Sequence, residues 1–94
     1  SPMVDYMYKI DISRAAGQII KALPPKQYRQ IVATILSLRE NPAPSDSKQL
    51  SGDAGYHHVD IGEHRIIYRF DKDKVNIAVI GNRNDDEVFK RFAQ

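Results

Sequence analysis

The stretch from Tyr56 to Phe70, YHHVDIGEHRIIYRF, restricts the fold more than any other part of the chain. Apolar and polar residues alternate up to Ile61, Gly62-Glu63 supplies a two-residue turn, and a β-branched and aromatic run follows. This pattern predicts an antiparallel hairpin. Closing the turn with Ile61 opposite His64 pairs Asp60 with Arg65, Val59 with Ile66, His58 with Ile67 and His57 with Tyr68. Successive side chains of a strand point to opposite faces. One face therefore carries His57, Val59, Ile61, His64, Ile66 and Tyr68, the expected core side. The other carries His58, Asp60, Arg65, Ile67 and Arg69. An imidazole, a carboxylate and two guanidiniums on one face exceed what solubility requires, and function is sought there.

A chain of 94 residues has room for a single domain, 1–94, with a modest core, and a 41% hydrophobic content belongs to a folded chain. Ser1-Pro2 before Met3 resembles a cloning scar and stands outside the fold argument. The absence of cysteine excludes disulfides, thiolate nucleophiles and cysteine metal sites. No apolar run is long enough to span a bilayer and no signal peptide is evident, so no membrane partner and a cytoplasmic location are expected. The net charge of +2 permits a polyanionic partner without demanding one. Arg65, Arg69, Arg83, Lys90 and Arg91 nevertheless make the C-terminal third the basic part.

Taken in order, Tyr6 to Ile12 alternates as a half-buried strand, with Tyr6, Tyr8, Ile10 and Ile12 on one side. Ser13 is a suitable N-cap for a helix whose stripe is Ala15, Ala16, Ile19, Ile20 and Leu23. Pro24-Pro25 ends that helix and opens a second, striped by Tyr28, Ile31, Val32, Ile35, Leu36 and Leu38 and ended by Asn41-Pro42. Pro42, Pro44, Gly52 and Gly55 mark an exposed loop with Leu50 as its anchor. After the hairpin, a turn at residues 71–74 leads to a strand over 75–80. That strand is apolar on both faces except at Asn76, and so lies inside the sheet. Asn84 or Asp85 caps a short last helix with Val88, Phe89 and Phe92 on its sticky face. The order β-α-α-β-β-β plus a short C-terminal helix predicts an α+β fold, two helices packed on one face of a small antiparallel sheet.

On the open face, Arg65 and Arg83 are the candidates for anion contact, since a guanidinium stays charged and its fork matches phosphate. Arg65 can equally serve as a cross-strand partner of Asp60, and spacing alone does not choose. His57 and His58 point to opposite faces and cannot share an ion, so no metal is expected. His58 is a proton-transfer candidate because its ordinary pKa lies near neutrality. Phe89 fits a core or groove position better than a base-stacking one. Glycine-rich phosphate loops, nucleophile triads and zinc-finger spacings are absent from the sequence.

Five segments, YKIDIS, LRENP, KQLSG, DIGEHRIIYRF and AVIGNRNDDEVFKRF, together spread over nearly the whole chain. In them the sequence resembles the RelE/ParE superfamily of type II toxin–antitoxin toxins, closer to the RelE branch. The resemblance implies a RelE-like fold and a toxin that cleaves messenger RNA in the ribosomal decoding site without a cofactor. It also implies neutralisation by a cognate antitoxin, with operator DNA bound only through that antitoxin. Arg65 falls on the family's hairpin arginine, which stabilises the phosphate, and Arg83 on its post-strand arginine, which assists the leaving oxygen. The two basic residues often found on the preceding strand are here His58 and Asp60, and the aromatic of the last helix, commonly Tyr, is Phe89. Catalytic roles are thus expected at Arg65, Arg83, His58 and Asp60, and RNA contacts at Phe89, Lys48 and Arg69. Two other readings stand beside this one: a ParE-like gyrase inhibitor without chemistry of its own, and a non-catalytic interaction module.

Overall fold

Ser13 sets where the first strand stops and the first helix begins. In the computed structural model, which describes residues 7–50 and 55–90, strand β1 (Lys9–Ile12) precedes it and helix α1 (Arg14–Ala22) follows. The Ser13 hydroxyl accepts a hydrogen bond from the Ala16 N–H at 3.0 Å, the capping role expected of it. Pro25 occupies the first turn of α2 (Pro25–Leu38), where its missing N–H costs nothing. The remaining elements are β2 (Lys48–Gln49), β3 (His57–Ile61), β4 (His64–Phe70), β5 (Lys74–Asn82) and α3 (Asp86–Lys90).

The strands form one sheet in the order β1-β5-β4-β3-β2. The β3–β4 register runs from His57 opposite Tyr68 to Ile61 opposite His64, as alternation predicts. Gly62 adopts φ 59°, the left-handed value that a two-residue turn with glycine in its first central position requires. The sheet is mixed rather than antiparallel, because β1 runs parallel to β5. Helices α1 and α2 follow β1 in the chain, and this long connection lets β5 lie beside β1 in the same direction.

Strand β5 looked apolar on both faces, and its register explains half of that. Ile67 pairs with Val79 and Tyr68 with Ile77, which leaves Ala78 as an extra residue. Val75 and Ile77 face the core before this irregularity and Ile80 after it. Ser13 holds the shift in place. Its N–H donates to the Ile77 carbonyl at 3.0 Å and its hydroxyl to the Ala78 carbonyl at 2.6 Å.

The core joins Ala16, Ile31, Ile35 and Leu38 of the helices to Val59, Ile66, Tyr68, Val75, Ile77 and Ile80 of the sheet. Each fully buried isoleucine stabilises the fold by roughly 1.5–3 kcal/mol relative to exposure. Tyr68 is buried with its hydroxyl donating to the Pro42 carbonyl at 2.7 Å. That bond ties the chain after α2 to the central strand. The connection expected as an exposed loop is therefore anchored at Pro42 and carries the short strand β2. Three members of the predicted α2 stripe are not fully buried, Val32 being half-buried. Tyr28 is 45% and Leu36 49% exposed, since α2 turns only Ile31, Ile35 and Leu38 fully onto the sheet. Tyr6, Gly52, Arg91 and Phe92, like Ser1 and Pro2, lie outside the described residues. Among the described residues no helix is long and apolar enough to cross a membrane.

Candidate functional site

The sheet face opposite α1 and α2 is built in rows. Asp60, Arg65 and Gly81 lie side by side across β3, β4 and β5. The next row is Lys48, His58, Ile67 and Val79. Cross-strand partners share a face, so the hairpin register brings His58, Asp60 and Arg65 together, and the β2–β3 pairing adds Lys48. Ile67 is fully buried although it belongs to this face, and it forms an apolar floor.

Arg65 spans Asp60 with two hydrogen bonds. Its Nε–H donates to Asp60 Oδ1 at 2.7 Å and its Nη2–H to Oδ2 at 3.2 Å. This forked geometry fixes the guanidinium plane. The arginine carbon at the centre of that plane lies 5.1 Å from the centroid of the Phe89 ring, a cation–π contact. Phe89 in turn packs on Gly81, where a side chain's Cβ would come within 3.6 Å of the ring. The carboxylate engages two of the five guanidinium N–H groups. The Asp60 carboxyl is held below its ordinary value, first by the hydrogen bond from Arg65 and then by that residue's charge, against an opposing effect of burial.

His58 is 15% exposed, and its Nδ1 lies 3.6 Å from the same Asp60 Oδ1 that accepts the Arg65 bond. That nitrogen is buried and makes no hydrogen bond among the described residues. Burial lowers the imidazole pKa below 6.5, the Arg65 and Lys48 charges push in the same direction, and Asp60 opposes them. The ring is therefore neutral at physiological pH. The carboxylate beside Nδ1 favours the tautomer with its proton on that atom, which leaves the Nε2 lone pair to accept one.

Arg83 follows β5 directly. Its backbone N–H donates to the Glu63 carbonyl at 2.9 Å, which ties it to the hairpin turn. It stands two residues beyond Gly81, in the turn that follows β5, with its side chain exposed. Phe89 is 4% exposed, which matches a core or groove residue and leaves its ring supporting Arg65 rather than open to a base. His57 lies on the opposite face, its ring centroid 5.8 Å from that of Tyr68 and 5.0 Å from that of Phe70. Arg69 stacks its guanidinium over the Tyr56 ring at 5.1 Å. Tyr56 drew no functional reading from the sequence. Extending the hairpin register by one pair beyond His57–Tyr68 would have set it opposite Arg69. Among the described residues no group of three metal-binding side chains comes together.

In comparisons by sequence, no family model and no curated protein matches the chain. The fold has solved relatives. The chain is similar to the toxin–antitoxin complex RelBE2 of Mycobacterium tuberculosis, at 25% identity and a TM-score of 0.72, over 84% of this chain and 94% of the other. An archaeal RelE–RelB complex from Pyrococcus horikoshii OT3 gives 21% identity and a TM-score of 0.72, over 84% of this chain and 98% of the other. A free Escherichia coli RelE variant gives 17% identity and a TM-score of 0.75, over 89% and 92%.

Proposed function

We propose that this chain, a member of the RelE-like toxin superfamily, is the toxin of a type II toxin–antitoxin pair and cleaves messenger RNA on the ribosome. The observation that carries the reading is the cluster of His58, Asp60 and Arg65 on the sheet face away from the helices, with Lys48 beside it. In the reaction His58 Nε2 takes the proton of a ribose 2′-hydroxyl. The 2′-oxygen bonds to the adjacent phosphorus and the bond from phosphorus to the 5′-oxygen breaks. The departing 5′-oxygen takes a proton from water, His58 later releases its own to solvent, and the products are a 2′,3′-cyclic phosphate and a 5′-hydroxyl end. Arg65 holds the non-bridging oxygens as charge builds on them, and Arg83 stabilises the departing oxygen. Asp60 keeps Arg65 and His58 in position. Lys48 contacts the RNA backbone. No cofactor enters this scheme.

Mapping transcript ends in cells that express the protein tests the reading. Codon-phased cuts confined to translated messages, with cyclic phosphate on the upstream fragment, are expected. Uncut messages together with inhibited DNA supercoiling in a gyrase assay would replace the nuclease with a gyrase inhibitor. Uncut messages and unaffected gyrase would leave an interaction module.

The cognate antitoxin needs a surface to hold, and we place part of its contact on the helix side. Ile10, Ile12, Ile20, Tyr28, Val32 and Leu36 line an apolar groove of about 500 Å³ beside the edge strand β1. Lys9 and Arg39 also line it, which suits an apolar segment with acidic residues. Leu36→Asp should weaken antitoxin binding by at least about tenfold, because it sets a charge in the middle of the buried contact, and should leave the thermal transition in place. Calorimetry with the protein encoded by the neighbouring reading frame checks this. Unchanged affinity would move the antitoxin off this groove.

A further inference from the structure

The row beyond His58 on the candidate RNA face has no role in the scheme above, yet it repeats that site's chemistry. Tyr56 precedes β3 by one residue and shares the face of His58 and Asp60 by alternation. Its carbonyl accepts from the Leu50 N–H at 2.8 Å, which continues the β2–β3 pairing past its last strand residue and holds the backbone there. Arg69 lies on the same face of β4 as Arg65 and Ile67. The half-buried Tyr56 ring lies beneath the exposed Arg69 guanidinium, at 5.1 Å. The arrangement matches Arg65 over Phe89 at the other end of the face. A cation backed by an aromatic ring thus occurs twice along one sheet face, four residues and about 13 Å apart on β4.

We propose that Tyr56 and Arg69 form a second nucleotide-holding station, where a base flanking the cleaved linkage stacks on the Tyr56–Arg69 pair while Arg65 holds the phosphate. The proposal rests on the RNA-cleaving reading. Single-stranded RNA is the ligand because its unstacked bases present flat faces to aromatic rings and guanidinium planes alike. The ring beneath Arg69 restricts its guanidinium to one orientation, which lowers the entropy lost on stacking. Successive nucleotides of a stacked strand advance by about 3.4 Å. A strand lying along this face therefore reaches the station a few nucleotides from the cut. The station contributes to binding and register and takes no part in bond breaking.

Single-turnover cleavage of a defined message on purified ribosomes separates the two roles. Tyr56→Ala and Arg69→Ala should each raise the half-saturating toxin concentration by about tenfold, the scale of one lost base stack, with the maximal rate unchanged. Tyr56→Phe keeps the ring and should behave as the wild type. Replacing flanking nucleotides one at a time by abasic residues should reveal one position with the same tenfold effect. That effect should vanish in Tyr56→Ala. If Tyr56→Ala proves unfolded, the exposed Arg69→Ala carries the test with the same abasic series. An active wild type with both alanine variants at wild-type affinity would overturn the station, as would abasic and alanine effects that simply multiply. A wild type that leaves the message intact would instead overturn the RNA-cleaving reading, and the station with it.

Discussion

Arg65→Ala should remove toxicity, with single-turnover cleavage falling by about 10²–10³-fold, the scale for losing one donor to a charged transition state. Arg65 is held from two sides, by the Asp60 fork and by the Phe89 ring. It therefore presents its charge without first being ordered by the substrate. The stability cost is moderate. A partly exposed ion pair contributes at most about 1 kcal/mol and the ring contact a further 0.5–1 kcal/mol or so. A melting temperature lower by roughly 5–10 °C, in a chain that still unfolds cooperatively, is the expected result. Arg65→Lys keeps the charge but loses the fork, and should recover only part of the rate. Growth assays run beside thermal melts decide the matter. Loss of the folded state at the growth temperature, in step with loss of toxicity, would make Arg65 a structural residue. Full toxicity in Arg65→Ala would remove it from the site.

His58→Ala should lower single-turnover cleavage by about 10²-fold or more, the contribution of a positioned general base. Burial and the Arg65 charge keep the imidazole neutral, and Asp60 lies beside Nδ1. The apparent second-order rate constant reports the free protein and should rise with pH to a plateau, with its midpoint below 6.5. Asp60→Asn should lower the rate less than His58→Ala does and shift that midpoint down, because it removes the one neighbour that raises the imidazole pKa. Folding is linked to the same titration. The folded protein favours neutral His58, and neutral His57 as well, whose pKa is lowered by burial. Their contribution to stability is complete above about pH 6.5 and is lost as pH falls through the depressed values. His57→Ala removes the contacts to Tyr68 and Phe70, and should change the melting temperature and not the rate. A flat pH–rate profile with full activity in His58→Ala would pass the base role to Asp60 or to the ribosome.

The difference between His57 and His58 was legible in the sequence, and so was the placement of His58, Asp60 and Arg65 on one face. Tight turns and period-two alternation are local, so Gly62-Glu63 sufficed to set Asp60 against Arg65 and to put the two adjacent histidines on opposite faces. Ser13 and Pro25 marked their helix starts for the same reason, since capping depends on neighbours within one turn. The contact between Arg65 and Phe89 was not legible, because that ring arrives from the far end of the chain.

What the sequence by itself determined is therefore the hairpin, its register, the helix starts and the set of residues sharing the polar face. Each follows from backbone geometry acting over a few residues. Tertiary structure alone decided that β1 lies parallel to β5, that Ala78 is the extra residue in β5, and that Lys48 joins the His58 row through β2. It also decided that Phe89 is covered while Tyr28 and Leu36 are not. Hydrophobic spacing marks which side chains can be buried. Burial itself depends on which surface comes to cover them, and that surface is supplied by segments distant in the chain.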